Sequence, residues 1–165
     1  MKSGNYRWFF HIGPIGIKIA KFVWSEPNKL EHFLVAIVMN LLERKRYKYY
    51  TLHKTYKNNT RVYKYNKYVP LIPTYFTCGL FNIVKYVPVW KGETDVELFY
   101  KDKWVKLDTL KDNVDYENII DDSFNNLIEC PKCDNIGIWN NKLYALDYGD
   151  FNTNMYNEVR ILLTD

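Results

Sequence analysis

Glycine is scarce in this chain, at 7 of 165 residues, and the arrangements that depend on it are missing. There is no Gly-x-x-x-x-Gly-Lys phosphate loop and no Gly-x-Ser-x-Gly turn, which sets aside P-loop nucleotide hydrolysis and serine-hydrolase chemistry. Cysteine is scarcer still. Cys78, Cys130 and Cys133 are the whole set, an odd number and too few for a disulfide framework to replace a core. A long apolar run is also lacking: the most apolar stretch, residues 33–42, is broken by Asn40 and falls far short of the roughly 20 residues that a membrane-spanning helix needs. No leader pattern stands at the start, because polar residues 2–6 give way to a segment interrupted by His11, glycines, Lys18 and Lys21. The expectation is a soluble, cytoplasmic protein with no membrane partner.

Acid is missing from one half. Residues 1–92 hold sixteen Lys/Arg and three Asp/Glu, whereas residues 93–165 hold seven and sixteen. The halves are therefore about +13 and −9, enough to attract one another on folding or to offer a basic face to an anionic partner. What is abundant is tyrosine, asparagine and lysine, a bias that AT-rich coding produces and that points to a phage or other virus. At this length we expect a single compact domain over 1–165. Its sub-lobes are a basic sheet-plus-helix at 1–90 and an acidic helix-plus-hairpin at 91–165. No internal repeat, coiled coil or low-complexity segment is evident.

Periodicity sets out the elements. Residues 6–12 suit a strand with Arg7, Phe9 and His11 on one face. After Gly13-Pro14, residues 15–23 form a second, with Ile15, Ile17 and Ile19 on one face and Gly16, Lys18 and Ala20 on the other. A lysine in mid-strand is unusual; the plain reading is a solvent-facing residue on an edge strand. Ser25-Glu-Pro-Asn28 signals a helix start, and Leu30, Phe33, Leu34, Ile37, Val38, Leu41 and Leu42 recur at helical spacing. A helix over about 28–46 should turn that stripe onto the strands, with Glu31 in its first turn. Residues 69–79 and 80–87 read as two strands, and residues 96–100 and 104–107 as a short hairpin. A helix over about 116–129 leads into the final stretch. The fold class is α+β, a small antiparallel sheet with one long packing helix, followed by a short helical segment and a β-hairpin.

From Arg44 to Lys67 there are nine basic residues, no acidic ones and six tyrosines. Cations that meet phosphates, interleaved with rings that stack on bases, make a nucleic-acid surface, with Arg44, Lys45, Arg46, Lys48, Lys54, Lys57, Arg61 and Lys64 as its contacts. The plain alternative is a hairpin over 49–57 and 60–68 turning at Asn58-Asn59. Cys130-Pro-Lys-Cys133 has the gap that lets two thiolates share a zinc ion. Four ligands are needed, and the remaining candidates Cys78, His11, His32 and His53 form no second close pair, so zinc is disfavoured. Redox chemistry is disfavoured too, since the motif follows a helix.

The stretch after the cysteines, Asp134-Asn-Ile-Gly-Ile-Trp-Asn-Asn-Lys-Leu-Tyr-Ala-Leu-Asp-Tyr-Gly149, resembles the catalytic-loop end and metal-binding turn of the protein kinase and aminoglycoside phosphotransferase superfamily. The shared pattern is an asparagine, a short hairpin, and an Asp-Phe-Gly-like triplet. The resemblance makes Asn135 and Asp147 the ligands of Mg²⁺ on ATP or ADP, as hard oxygen donors. Upstream, Ile15-Gly-Ile-Lys18 is similar to the family's lysine strand, Glu31 stands as its ion-pair partner, and residues 80–87 lead into a hinge near Tyr86 to Pro88. The implied cofactor-binding set is Lys18, Glu31, Asn135 and Asp147, in a reduced kinase-like two-lobed fold.

Departures count as well. Cys130 stands at the catalytic-base position, and a thiol is a poor substitute for the carboxylate. The glycine-rich loop is missing or reduced to Gly13-Pro-Ile-Gly16. The expected function is a catalytically degenerate, pseudokinase-like regulator that acts by binding a host or viral protein. Two alternatives stand beside it. One is a nucleic-acid-associated protein using 44–67; the other is a small host-enzyme inhibitor without ligand chemistry.

Overall fold

The computed structural model describes residues 2–3, 6–22, 28–52, 68–110, 116–124 and 134–149. Two compact units share the chain: Met1–Tyr47, Pro73–Tyr86 and Gly149–Asp165 form the first, and Lys48–Ile72 and Val87–Tyr148 the second. The division is therefore not a single cut near residue 90. The chain passes from one unit to the other after Tyr47, Ile72, Tyr86 and Tyr148.

The first unit is an antiparallel sheet of β1 (Lys2–Ser3), β2 (Arg7–Ile12), β3 (Ile15–Ala20), β4 (Thr74–Thr77) and β5 (Phe81–Lys85), in the order β1-β2-β3-β5-β4. Gly13, at φ 55°, makes the turn between β2 and β3. Register sets Phe9 opposite Lys18 and His11 opposite Gly16 on one face, and Trp8 opposite Ile19 and Phe10 opposite Ile17 on the other. The helix α1 (Lys29–Tyr47) lies on the Lys18 face and buries Ala36, Met39, Asn40, Leu42, Glu43 and Arg46.

The helix was expected to bury its apolar stripe, and only part of that stripe goes inward: Leu42 is buried, and Ile37 and Leu41 lie against Gly79. Leu30 and Leu34 are 63% and 52% exposed. The sheet surface beneath α1 carries Arg7, Lys18, Thr74 and Asn82, all buried. Buried cations need partners, so the helix presents Asn40 and Glu43 to them. Strand β4 is shorter than expected because Pro70 and Pro73 have no N–H for a ladder. Residues 70–72 instead meet the second unit's last strand.

That second unit holds β6 (Glu97–Tyr100), β7 (Lys103–Lys106), β8 (Ile136–Trp139) and β9 (Lys142–Ala145), in the order β7-β6-β9-β8. Lys101 and Asp102 turn the first hairpin at φ 48° and 64°, and Asn140 and Asn141 turn the second at φ 52° and 59°. Two left-handed residues in a two-residue loop match the right-handed twist of the strands. Leu98, Ile136, Leu143 and Ala145 on one face are buried, as are Ile119, Ile120 and Phe124, the first two from α2 (Tyr116–Ser123), which packs on β6. Across the other face run Phe99, Trp104, Tyr144 and Trp139 in successive ring contacts of 5.3–5.7 Å. Burial there raises the pKa of Tyr144 above its ordinary value.

The architecture is thus α+β with two small sheets and one long helix. Lys48–Leu52 forms a π-helical turn after α1, where a strand was expected to begin at Tyr49. The rest of the anticipated 49–68 hairpin and the end of the 116–129 helix lie outside the described residues. No described helix is long and apolar enough to cross a membrane.

Candidate functional site

Strand β3 has β2 and β5 on either side, so Lys18 stands in the middle of the sheet and not on an edge. It is 6% exposed. Its Nζ donates to Glu43 Oε1 at 2.6 Å. The same oxygen receives Arg7 Nη1 at 2.9 Å, and Oε2 accepts from Asn82 Nδ2 at 2.8 Å. Local pattern explains the meeting: Asn82 is directly opposite Lys18 in the β3–β5 ladder, and Arg7 shares the Lys18 face of β2. Asn40, one helical turn before Glu43, accepts from Arg7 at 3.3 Å and donates to the Gly79 carbonyl at 2.7 Å.

The ion-pair partner expected for Lys18 was Glu31. The carboxylate on Lys18 is Glu43, and Glu31 is exposed in the first turn of α1. Twelve helical residues separate the two, about 18 Å along the axis. Asn82 Oδ1 is the one buried side-chain oxygen left without a hydrogen bond among the described residues. Leaving such a group unpaired costs on the order of 1–3 kcal/mol. Two residues from Lys18, Gly16 lies under Phe9: a Cβ there would come within 2.8 Å of the ring. Phe9 in turn stacks on Tyr86, and Tyr86 on His11 at 3.7 Å and 2°. This is a flat aromatic surface beside a buried ammonium.

Asn135 and Asp147 come together in the second unit. The pair Ile136–Ala145 closes the β8–β9 ladder, and the Asn135 carbonyl accepts from Leu146 N at 2.8 Å one step further out. Asp147 follows directly, so the two sit at one mouth of the hairpin, both half-buried. Tyr148 is fully buried and donates from its hydroxyl to the Ile72 carbonyl at 2.7 Å. Gly149, in the first unit, lies against α1. A Cβ there would be 2.5 Å from the Met39 carbonyl oxygen and 2.8 Å from Glu43 Cγ, so only glycine fits. An amide oxygen and a carboxylate are a donor set that suits Mg²⁺, which takes its other ligands from phosphates and water. Among the described residues no three His, Cys, Asp or Glu side chains gather as a metal cluster.

Four members of the nucleic-acid set, Arg44, Lys45, Arg46 and Lys48, fall among the described residues. Arg46 is fully buried, and Arg44 donates to the Thr74 carbonyl within the first unit. Lys45 is half-buried and Lys48 exposed. Lys54, Lys57, Arg61 and Lys64 lie outside the described residues, as do Cys130, Cys133 and His53. Cys78 is exposed on the β4–β5 connection.

Comparison with protein families, with curated proteins and with solved structures finds no match to this chain.

Arg7, Asn40, Glu43 and Asn82 were not anticipated. A signal for the helical pair existed: Ala36, Met39, Asn40, Glu43 and Arg46 form a stripe at three-and-four spacing. It is less apolar than the Leu30–Leu41 stripe, and hydrophobicity alone ranks it second.

Proposed function

We propose that this chain is a kinase-like, catalytically degenerate regulatory protein. In this reading it holds a magnesium nucleotide and acts by binding another protein, of the host or of the virus that encodes it. The observation that carries the reading is the buried Lys18–Glu43 pair, which joins a central strand to the helix that follows it. A lysine on the third strand paired with a glutamate of the next helix is the arrangement that kinases need for activity.

Three further features support it. Asn135 and Asp147 share one hairpin mouth. The triplet ends in a glycine whose close approach to the Met39 carbonyl and the Glu43 side chain leaves no room for a Cβ. The ring surface of Phe9 and Tyr86 lies on the Lys18 face. Within this reading Asn135 and Asp147 hold the cation, and the bound metal offsets phosphate charge. Cys130 at the base position leaves no carboxylate to accept a substrate hydroxyl proton, so binding outlives transfer.

The test is thermal unfolding of the full chain against Mg²⁺ with ATP or ADP. Ligand at 100 times its dissociation constant should stabilise the fold by about 2.7 kcal/mol, and Asp147→Ala should lose that gain. No stabilisation, or the same stabilisation in Asp147→Ala, removes nucleotide binding from the reading.

A further inference from the structure

Helix α1 turns Asn40 and Glu43 toward the sheet and leaves part of its apolar stripe outward. At about 3.6 residues per turn, the nine residues from Leu34 to Glu43 make two and a half turns, so the two point in opposite directions. Along the Leu34 side Glu31, Leu34, Val38, Leu41 and Lys45 follow one another at spacings of three and four, which is the seam of a paired helix. Leu34 is 52% exposed and Leu30 beside it 63%. Leu80, next to the Gly79 that Ile37 and Leu41 meet, is 51% exposed. Val38, Leu41 and Lys45 are half-buried. The surface at Leu34 dips into a groove of about 570 Å³ whose lining includes Leu30, Val35 and Val38. Apolar surface of this kind, rimmed by polar groups, marks an interaction site.

Charge selects the occupant. Of the two acids of α1, Glu43 is buried and Glu31 exposed. Among the bases of the last turn Arg46 is buried and Arg44 donates to the Thr74 carbonyl, whereas Lys45 falls on the seam. Among the described residues neither the Glu31 carboxylate nor the Lys45 ammonium has an ion-pair partner. The seam is thus acidic at one end, apolar in the middle and basic at the other, with each charge seven residues, or about 10.5 Å, from Val38. Such a stripe is complementary to itself when reversed.

We propose that α1 is the interface of a two-fold dimer of this chain, in which two copies of the helix pack antiparallel and cross at Val38. Leu34 then lies by the partner's Leu41 and Glu31 by the partner's Lys45, each contact made twice by symmetry. A parallel pairing would set Glu31 against the partner's Glu31, and a different protein would have to reproduce the charge order that this helix already carries. Antiparallel packing also sets the two helix dipoles in opposition. One helix face from each chain makes an interface at the low end of the specific range, about 1,200 Å² in total, so the dimer dissociates on dilution. The inference goes beyond the proposed function and rests on neither its nucleotide half nor its partner half.

The test is sedimentation equilibrium of the full chain over a series of concentrations up to about 1 mM, with circular dichroism to show that each variant is folded. A monomer–dimer equilibrium is expected. Leu34→Glu should raise its dissociation constant about tenfold or more, with Leu30→Glu as a second variant of the same stripe, while Ile12→Glu on the sheet leaves it unchanged. Glu31→Lys and Lys45→Glu should each weaken self-association about fivefold, because two attractive contacts become repulsive. Mixing these two variants should restore it, since each then offers the charge that the other lacks. A chain that stays monomeric over the whole range overturns the proposal. So does a dimer indifferent to both leucine substitutions, one abolished by Ile12→Glu, or a mixture that associates no better than its components.

Discussion

Glu43 has no exposure and accepts from Lys18, Arg7 and Asn82, so its removal leaves two cations in a place where water cannot solvate them. Truncating one member of such a buried set costs on the order of 3–5 kcal/mol. Glu43→Ala should lower the denaturant-derived stability by about that much, and Glu31→Ala, on the exposed first turn, should change it by less than about 0.5 kcal/mol. If the two substitutions cost the same, the assignment of the Lys18 partner is wrong. Lys18 itself was legible as an anomaly, because a lysine between Gly16 and Ala20 has no role in an ordinary strand. Its partner was not, since several carboxylates are available in sequence and only the helix rotation selects one.

Turn stereochemistry governs the next scale. Asn140 and Asn141 both hold positive φ, a conformation that costs an ordinary L-residue roughly 1–2 kcal/mol and asparagine less. Asn141→Ala should therefore cost about 1 kcal/mol by equilibrium unfolding, and Asn141→Gly should not destabilise the chain. Equal effects from the two would place the cost in the amide side chain and not in the backbone. Because this hairpin sets Asn135 beside Asp147, Asn141→Ala should also weaken any magnesium-nucleotide stabilisation. A hairpin was expected in this stretch, and it is formed by β8 and β9. For α1 the extent was legible and the orientation was not. Leu30 and Leu34 of its most apolar stripe stay exposed, and Asn40 and Glu43 go inward.

For the whole chain the connectivity is the constraint. Four passages between units, after Tyr47, Ile72, Tyr86 and Tyr148, mean that neither unit is a continuous segment able to fold before the other is made. Unfolding followed by far-ultraviolet and near-ultraviolet circular dichroism should give one coincident transition; two separated transitions would show that the units fold independently. The charge division at residue 92 has no such counterpart, because basic and acidic segments contribute to both units. What the sequence determined by itself is local: the strands around Lys18, the extent of α1 and the two hairpins. Periodicity and backbone stereochemistry suffice for these. Only the tertiary structure decided which face of α1 turns inward and which carboxylate meets Lys18. Those choices depend on the partner surface, since a buried cation draws a carboxylate to itself at the expense of burying leucine.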